Sequence, residues 1–407
     1  MCDTVAMFCG DGSGRSFFGK NSDREPGELQ IVYYSANPVE EFNTRPYIEA
    51  SHKYIKGPYS VLKSIFNKYD NPYSALISRP VWMWGAEMGV NQFGLSIGNE
   101  AIFPKAKVAD HALLGMDILR LALHNCKNAP EAVSFITDLI SEHEQGGDGG
   151  YRGSLKYHNS FLIKDFEQGY ILETSGKHWA LKEICDVAAI SNSYSITDDY
   201  CMVDPETEEP CNFKARYENK LVTFFTKGDA RREYAYNYMK DSNGDLKSVM
   251  SLLRSHMNAD QSIKKGMKSI CIHSGPFIKS EATSSMIVDY INDRFVVWMT
   301  GSPHPCVSLF KPIVFSDNKT TAGFDDVDFS IEYCNNATAL ARALVKNYPL
   351  FLSEIKPIRD KYESDFEQII CRGIDTKDLA QLISESEKCF EMEKEYMDRI
   401  NDMGLSW

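Results

Sequence analysis

Cys2 is the residue whose type and position offer the most chemistry in this chain. A small residue behind Met1 allows the usual processing enzyme to remove that methionine, which would leave Cys2 at the N-terminus. A terminal cysteine has a thiol and a free α-amine, and an amine with a pKa of about 8 can act as a base near neutral pH. Cys2 therefore predicts an amine-activated thiol nucleophile. The alternative is that Cys2, one of 11 cysteines, is only a small packing residue.

The segment after Cys2 predicts a β-hairpin that would position this nucleophile. Two apolar, β-prone runs at residues 1–9 and 15–24 are separated by a Gly/Asp/Ser cluster, as in two paired strands. The return strand would bring Lys20 and Asp23 back beside the start of the chain. The hairpin thus places charged side chains where a thiol nucleophile needs them.

A series of motifs along the chain resembles one enzyme family. In order they are CDT at 2–4, FGKNSDR at 18–24, SRPVWMWGAEMG at 78–89, GLSIGNEA at 94–101, LLGMD at 113–117, YHNSFLI at 157–163, LET at 172–174, TGSP at 300–303 and FKP at 310–312. Together, in this order and spacing, they resemble the secernin and dipeptidase branch of the N-terminal-nucleophile (Ntn) cysteine hydrolases. The resemblance spans essentially the whole chain.

The resemblance implies a fold and a set of catalytic residues. The implied fold is α+β, a four-layer αββα sandwich of antiparallel sheets in which the nucleophile opens a central strand. The positions that match the family's catalytic residues are Cys2, Asp23, Asn99, Asn192 and Arg231. By this pattern Asp23 orients the α-amine, and Asn99 and Asn192 donate hydrogen bonds to the oxyanion. Arg231 matches the family's late arginine.

Three further residues are predicted to contact the substrate: Lys20, Trp84 and Glu100. Related hydrolases that act on bile salts and penicillins have an arginine where this chain has Lys20. A lysine lacks the planar fork of arginine, so carboxylate recognition does not carry over from those relatives unchanged. Arg232 is nearly as suitable as Arg231 for the arginine position.

Each of these residues also has a plain structural interpretation. Asp23 could be a turn residue after a strand, and an asparagine is more often a turn or cap residue than an oxyanion donor. Arg231 could lie on a solvated helix face, and Trp84 could pack between layers. Only the resemblance favours catalytic and binding roles over these interpretations.

Composition excludes several classes of function. The net charge is −13 without a basic cluster, which argues against a nucleic-acid partner. No apolar run reaches the roughly 20 residues of a membrane span, and no leader precedes Cys2. The cysteines form no Cys-x-x-Cys pair and the nine histidines, His158 and His273 among them, show no ligand spacing, so we expect no metal and no cofactor. A cytoplasmic location fits best.

Periodicity predicts two batches of strands with helices between and after them. Helices are expected at 110–126, capped by Asp110, at 129–143, opened by Asn128, and at 245–256. The other expectations are a loop at 57–75, a flexible glycine-rich loop or lid at 145–153, a strand at 269–273, and helices at 338–346, 350–371 and 376–400, with Gly373 as a stop. The chain is expected to divide into an Ntn-hydrolase domain at 2–330 and a helical extension at 331–407.

Two classes of function follow. The first is a cofactor-independent thiol amidohydrolase, a dipeptidase in the first place, that cleaves small peptides or acyl-amides through an acyl-enzyme on Cys2. An acyl-amide hydrolase of the penicillin or bile-salt type is a variant of this interpretation. The second is a non-catalytic, secernin-like interaction protein linked to secretion. A homo-oligomer is compatible with either class.

Overall fold

Two antiparallel β-sheets, each covered by helices, build the protein. The computed structural model describes residues 1–8, 14–44, 52–207, 210–257, 262–263, 265–276, 278–316, 319–405 and 407. The strands are β1 (Cys2–Phe8), β2 (Arg15–Arg24), β3 (Gln30–Ser35), β4 (Ala75–Pro80), β5 (Met88–Asn91), β6 (Ser96–Ile102), β7 (His158–Lys164), β8 (Gly169–Ser175), β9 (His178–Glu183), β10 (Val187–Ile190), β11 (Met202–Val203), β12 (Glu281–Ile291), β13 (Arg294–Met299), β14 (Lys311–Ile313), β15 (Phe315–Ser316) and β16 (Lys319–Thr320). The helices are α1 (Pro38–Thr44), α2 (His52–Lys56), α3 (Pro58–Ile65), α4 (Gly115–Asn125), α5 (Ala129–His143), α6 (Phe213–Tyr217), α7 (Lys220–Thr226), α8 (Gly228–Lys240), α9 (Leu246–Leu253), α10 (Val327–Lys346), α11 (Tyr348–Leu350), α12 (Lys356–Asp375) and α13 (Leu379–Asp402).

The strand order places the start of the chain inside a sheet. The first sheet has six strands in the order β10-β1-β2-β12-β13-β14, and the second has eight in the order β11-β9-β8-β7-β6-β5-β4-β3. β1 pairs antiparallel with β2 on one side and with β10 on the other, and Cys2 lies opposite Ser22. The predicted hairpin is therefore present, and Cys2 opens an inner strand.

The two faces of the six-stranded sheet are buried in different cores. Alternate residues of a strand point to opposite faces, so Phe18 and Val288 face the second sheet while Phe17 and Ile287 face the helices. α8 and α9 pack on the helix-facing side of the six-stranded sheet, and α4 and α5 cover the outer side of the eight-stranded sheet. The layers thus run helix, sheet, sheet, helix, and the predicted αββα sandwich is confirmed.

Gly98 marks the closest approach of the two sheets. It lies in β6, and a Cβ atom built there would come within 2.6 Å of Lys20 Cδ and 3.1 Å of Phe18 Cζ. A residue with a side chain would have to push both groups aside. The glycine therefore lets the side chain of Lys20 pass between the sheets, below the start of β1.

Several predicted element boundaries need correction. α4 begins at Gly115 and is not capped by Asp110, which pairs with Lys156 instead. The expected loop at 57–75 contains α3, because Pro58 occupies the first turn of a helix, where proline needs no amide hydrogen. Residues 269–273, all of them described, form no strand. The start of α5 is confirmed, since Asn128 accepts a hydrogen bond from the Glu131 amide.

The C-terminal helices close the open edges of both sheets. α10 packs on β3, an edge strand of the larger sheet, while α12 and α13 pack on β14, an edge strand of the smaller one. Asp378 caps α13, whereas Gly373 lies inside α12 and does not end it. The helical C-terminal segment is confirmed, but α10 starts before residue 331 and shares a hydrophobic core with the sheets. The division at residue 330 stays a prediction.

Among the residues described, no helix combines the length and the apolar character needed to cross a membrane.

Candidate functional site

Cys2 is buried at the beginning of β1, where the two sheets face each other. Its residue is 5% exposed. The amide of Asp23 approaches Cys2 Sγ at 3.4 Å, and Glu87 Oε2 lies 4.0 Å from the same sulfur. The backbone nitrogen of Cys2 donates to Asn192 Oδ1 at 2.8 Å. The thiol and the nitrogen that would become the α-amine are both held in defined positions.

Met1 separates this thiol from a large cavity. The cavity has a volume of about 960 Å³, and Met1 and Asp23 are among its lining residues, whereas Cys2 is not. The Met1 ammonium donates to the carbonyl oxygen of Asp23 at 2.8 Å and to Ser280 Oγ at 3.3 Å. Removal of Met1 would take away one of the residues that line the cavity and would leave the amine of Cys2 as the chain terminus.

The carboxylate of Asp23 is the most unusual group at the site. Asp23 is 3% exposed, and neither carboxylate oxygen has a hydrogen-bond partner in the part of the chain that the structure describes. Burial raises the pKa of this carboxyl well above its usual range, the N-terminal ammonium opposes the shift, and the Asp3 carboxylate adds to it. A buried acid without partners beside the chain terminus is poised to bind an amine.

A buried ion-pair network fixes the position of Asn192. Arg231 is fully buried and pairs with Asp3, with its Nε 3.0 Å from Asp3 Oδ2. Its Nη2 donates to Ser191 Oγ at 3.0 Å and to Asn192 Oδ1 at 2.7 Å. Arg231 therefore supports the residue that holds the nitrogen of Cys2. Arg232 is only partly buried and takes no part in this network.

Lys20 and Glu100 form a second buried ion pair, between the two sheets. Lys20 Nζ donates to Glu100 Oε1 and to the Asn99 carbonyl oxygen, both at 2.9 Å, and Thr4 donates to the same Glu100 oxygen. Burial lowers the pKa of Lys20, but the negative charges of the Cys2 thiolate and Glu100 outweigh it and raise the value. Both side chains are fully buried and neither lines the cavity.

The pKa of the Cys2 thiol depends on burial. Burial raises it to about 11 while Met1 is in place. Lys20 and the N-terminus lower it, and Glu87 raises it further, without reversing the effect of burial. The thiol is therefore protonated near neutral pH in the chain that retains Met1.

Two predicted residues, Asn99 and Trp84, form no hydrogen bond with Cys2 among the residues that the structure describes. Asn99 Nδ2 donates to Asn159 Oδ1 at 3.1 Å, and Asn99 Oδ1 has no partner among the described residues. Trp84 is fully buried in an aromatic cluster, with edge contacts to Phe42 and Phe66. Trp84 does not line the cavity. Packing explains its position, and a contact with substrate has no support in this geometry.

Sequence reasoning missed a cluster around Arg24. Its guanidinium donates to Glu28 Oε1 at 2.7 Å, to Glu87 Oε1 at 3.0 Å and to the Gly149 carbonyl oxygen at 2.9 Å. This cluster connects the return strand of the hairpin to Glu87 beside the thiol and to the glycine-rich loop. Arg24 and Glu87 both lie within the family-like motifs, which was the only signal for them.

The glycine-rich loop forms one wall of the cavity and binds an internal carboxylate. Glu25 Oε1 accepts hydrogen bonds from the backbone amides of Tyr151, Arg152 and Gly153 at 3.0–3.3 Å. These amides are the donors that a phosphate would need, and they are already occupied. The loop therefore serves the cavity in this structure and does not cradle a phosphate.

Several solved structures are distantly similar to this chain. No family model matches the chain. A conjugated bile acid hydrolase mutant from Clostridium perfringens has 11% identity and a TM-score of 0.39, covering 78% of this chain and 98% of that one. Penicillin V acylase from Agrobacterium tumefaciens has 12% identity and a TM-score of 0.41 (74% and 82% covered). The Caenorhabditis elegans ortholog of N-acylethanolamine-hydrolyzing acid amidase has 12% identity and a TM-score of 0.39 (72% and 98% covered).

The geometry of the site is therefore the evidence for what it can do chemically. Six of the predicted residues lie in hydrogen-bond and charge networks around the start of β1: Cys2, Lys20, Asp23, Glu100, Asn192 and Arg231. The thiol of Cys2 lies beside Asp23, and Asp23 and the terminal residue Met1 line the cavity. This arrangement can carry a nucleophile and a base once the chain begins at Cys2.

Proposed function

We propose that the protein is an amide-bond hydrolase in which Cys2, freed by removal of Met1, is the nucleophile and its own α-amine is the base. One observation carries the proposal: the unpartnered Asp23 carboxylate lies beside the chain terminus at the edge of the cavity. A buried acid without hydrogen bonds is costly to the fold and is expected where a protein uses it. An α-amine on Cys2 is the partner that it lacks.

The proposed reaction needs no group beyond the protein and water. The Cys2 thiol transfers its proton to the α-amine as sulfur attacks the substrate carbonyl carbon, which gives a tetrahedral oxyanion. The C–N bond then breaks, the leaving nitrogen takes the proton from the ammonium, and a thioester remains on Cys2. Water, deprotonated by the same amine, attacks the thioester carbon, and the acid product leaves as the thiol regains its proton.

The surrounding residues have separate proposed roles. Asn192 Oδ1 already accepts from the nitrogen of Cys2, so it orients the amine, and Arg231 holds that oxygen in place. Lys20 is the cation that most lowers the pKa of the thiol, which offsets part of the effect of burial. We keep Asn99 and Asn192 as the oxyanion donors, because the structure shows one partner for each Nδ2 group, and each carries two hydrogens.

A dipeptide is the proposed substrate because the cavity presents both signs of charge. The acids Asp23 and Glu25 line it together with Arg152, Lys265 and Lys279. A dipeptide at neutral pH carries an ammonium at one end and a carboxylate at the other, and this lining complements both ends. An acyl-amide with an apolar acyl chain would use only part of this lining.

A substrate screen tests the proposal. The processed protein is incubated with a dipeptide library and with short acyl-amides, and Cys2→Ala serves as the blank. Cys126→Ala, which removes a buried cysteine at the end of α4, is the matched control and should keep full activity. Cys2→Ala should abolish cleavage, and Cys2→Ser should retain only a small fraction. Cleavage that persists in Cys2→Ala excludes Cys2 as the nucleophile.

A binding protein is the second candidate, and one feature favours it. Leu221, Phe224 and Phe225 of α7 are 71%, 64% and 66% exposed, and exposed apolar groups of this size often mark protein contacts. We propose that this face joins two copies of the chain. Phe225→Ser should shift the mass in sedimentation from dimer to monomer. An unchanged mass, together with cleavage in the substrate screen, would leave only the hydrolase.

A cytoplasmic location is part of the proposal. The ten cysteines that the structure describes are all free, as expected in a reducing compartment.

A further inference from the structure

A second cluster of reactive side chains lies outside the candidate active site. It consists of His256, Cys271, His273 and Cys306, and all four residues are buried. One ligand atom from each lies within 4.8 Å of each of the others. Nothing in the proposed hydrolysis uses these residues.

The distances from His273 to the other three residues match the edges of a tetrahedral metal site. His273 Nε2 lies 3.2 Å from His256 Nε2, 3.5 Å from Cys271 Sγ and 3.3 Å from Cys306 Sγ. For bonds of about 2.0–2.1 Å to nitrogen and 2.3 Å to sulfur, tetrahedral angles place two nitrogens about 3.3 Å apart and a nitrogen and a sulfur about 3.5 Å apart.

Hydrogen bonding alone does not account for this convergence. His273 Nε2 carries either one hydrogen or one lone pair, yet three polar atoms face it at contact distance. At most one of them can be satisfied by that nitrogen. A cation at the centre would satisfy all four groups at once.

We propose that these four residues bind one Zn²⁺ ion as a structural site. Two thiolates and two imidazoles in a tetrahedral arrangement are the donor set typical of zinc. Two thiolates also balance the charge of the ion, which suits a buried position. Four protein ligands leave no position for substrate, so the site stabilises structure and does not catalyse.

Neighbouring hydrogen bonds hold two of the ligands, and a cavity beside the cluster offers the ion a path of entry. Arg359 Nη1 donates to the Cys306 carbonyl oxygen at 2.6 Å, and the Cys271 amide donates to Ser255 O at 3.0 Å, which fixes the backbone of both thiols. His256 and Cys306 also line a cavity of about 400 Å³ through which an ion could enter.

The proposed ion would join two connecting segments of the chain. His256, Cys271 and His273 lie in the segment between α9 and β12, and Cys306 lies between β13 and β14. The segment before β12 also contributes Ser274 and Ser280 to the wall of the large cavity. The ion would hold this wall in place, and the proposal does not depend on the hydrolase activity. Sequence spacing does not reveal such a site, since two strands separate Cys306 from the other three ligands.

Metal analysis of the full-length protein, purified without a metal-binding tag, tests the site. We expect about one Zn²⁺ per chain, and we expect metal-free protein to take up one Co²⁺ with the thiolate charge-transfer and intense visible bands of a tetrahedral site. Cys271→Ser and Cys306→Ser should lose the zinc and both sets of bands. Cys126→Ser and Cys389→Ser, which change buried cysteines elsewhere, should keep them.

The cobalt titration of the wild type tests for the zinc site even where a variant does not fold. A wild-type chain that contains no zinc and gives no tetrahedral cobalt spectrum overturns the proposal. A Cys271–Cys306 disulfide in the freshly purified protein, seen as a loss of two hydrogens in peptide mass, would overturn it as well. Retention of zinc by both ligand variants would place the ion elsewhere.

Discussion

Replacing Asp23 with asparagine should stabilise the chain that retains Met1 and inactivate the processed protein. The carboxylate is buried without a hydrogen-bond partner among the described residues, and a buried unsatisfied polar group costs about 1–3 kcal/mol, more when charged. Asparagine has nearly the same shape and no charge. The proposed contact with the α-amine would weaken at the same time, and we expect turnover to fall by about 10²-fold or more.

The stability that Asp23→Asn gains should increase as the pH rises. The pKa of Asp23 is raised well above 3.8 by burial, so the folded state binds this proton more tightly than the unfolded chain. The carboxyl therefore favours folding below about pH 4, and stability falls as pH rises from there through the folded pKa, by up to about 1.4 kcal/mol per unit. An asparagine at this position does not titrate and has no such dependence. The advantage of Asp23→Asn should therefore grow between pH 5 and pH 7.

Urea unfolding of chains that retain Met1, at the two pH values, measures this difference. Asp110→Asn is the matched control, because Asp110 is exposed and its ion pair with Lys156 lowers its pKa. The contribution of Asp110 is complete above pH 4, so its replacement should have the same effect at pH 5 and pH 7. Equal effects of Asp23→Asn at both pH values would refute the conclusion that the Asp23 carboxylate is buried without a partner. Full activity of Asp23→Asn would refute its role at the amine.

Three further predictions concern the same site. Arg231→Met leaves Asp3 buried without its cation and should cost about 3–5 kcal/mol in urea unfolding, whereas Arg232→Met should cost less than about 1 kcal/mol; equal costs would contradict the network. Asn192→Ala should lower turnover by roughly 10²–10³-fold with an unchanged circular dichroism spectrum, and near-normal turnover would move the amine and the oxyanion contacts elsewhere. An uncleavable extension before Cys2 should abolish turnover and keep alkylation of its thiol slow below a pH of about 11, while mass spectrometry of active protein should show a chain without Met1; an active extended chain would exclude the amine as the base.

The sheet framework could be predicted from the sequence because its signals are local. The β1–β2 hairpin follows from two apolar runs around a turn cluster, and the capping of α5 by Asn128 follows from a four-residue pattern. Asp110 failed as a cap because the residues after it run to Gly115 before a helix begins. The loop interpretation of 57–75 failed because Pro58 opens a helix as readily as it breaks one.

The sequence predicted which residues belong to the site, but it predicted few of the contacts between them. Cys2 and Asp23 belong to one hairpin, so their proximity follows from strand pairing. The contact of Arg231 with Asp3 joins residues 228 positions apart, and no local pattern contains it. Burial also changes the chemistry, since the elevated pKa of Cys2 results from packing between the sheets, which composition does not reveal.

The hydrogen bonds of the Met1 ammonium limit the time in which Met1 can be removed. In the folded chain this group is held by Asp23 O and Ser280 Oγ, so an aminopeptidase that needs an extended terminus has to act earlier. The bond to Ser280 can form only after residue 280 is made, and at about 5–20 residues per second the first 280 residues take roughly 14–56 s. Met1 has to leave within approximately that interval. A cell that makes the chain faster than it trims it would accumulate correctly folded molecules that can never become active, so specific activity would fall as expression rises.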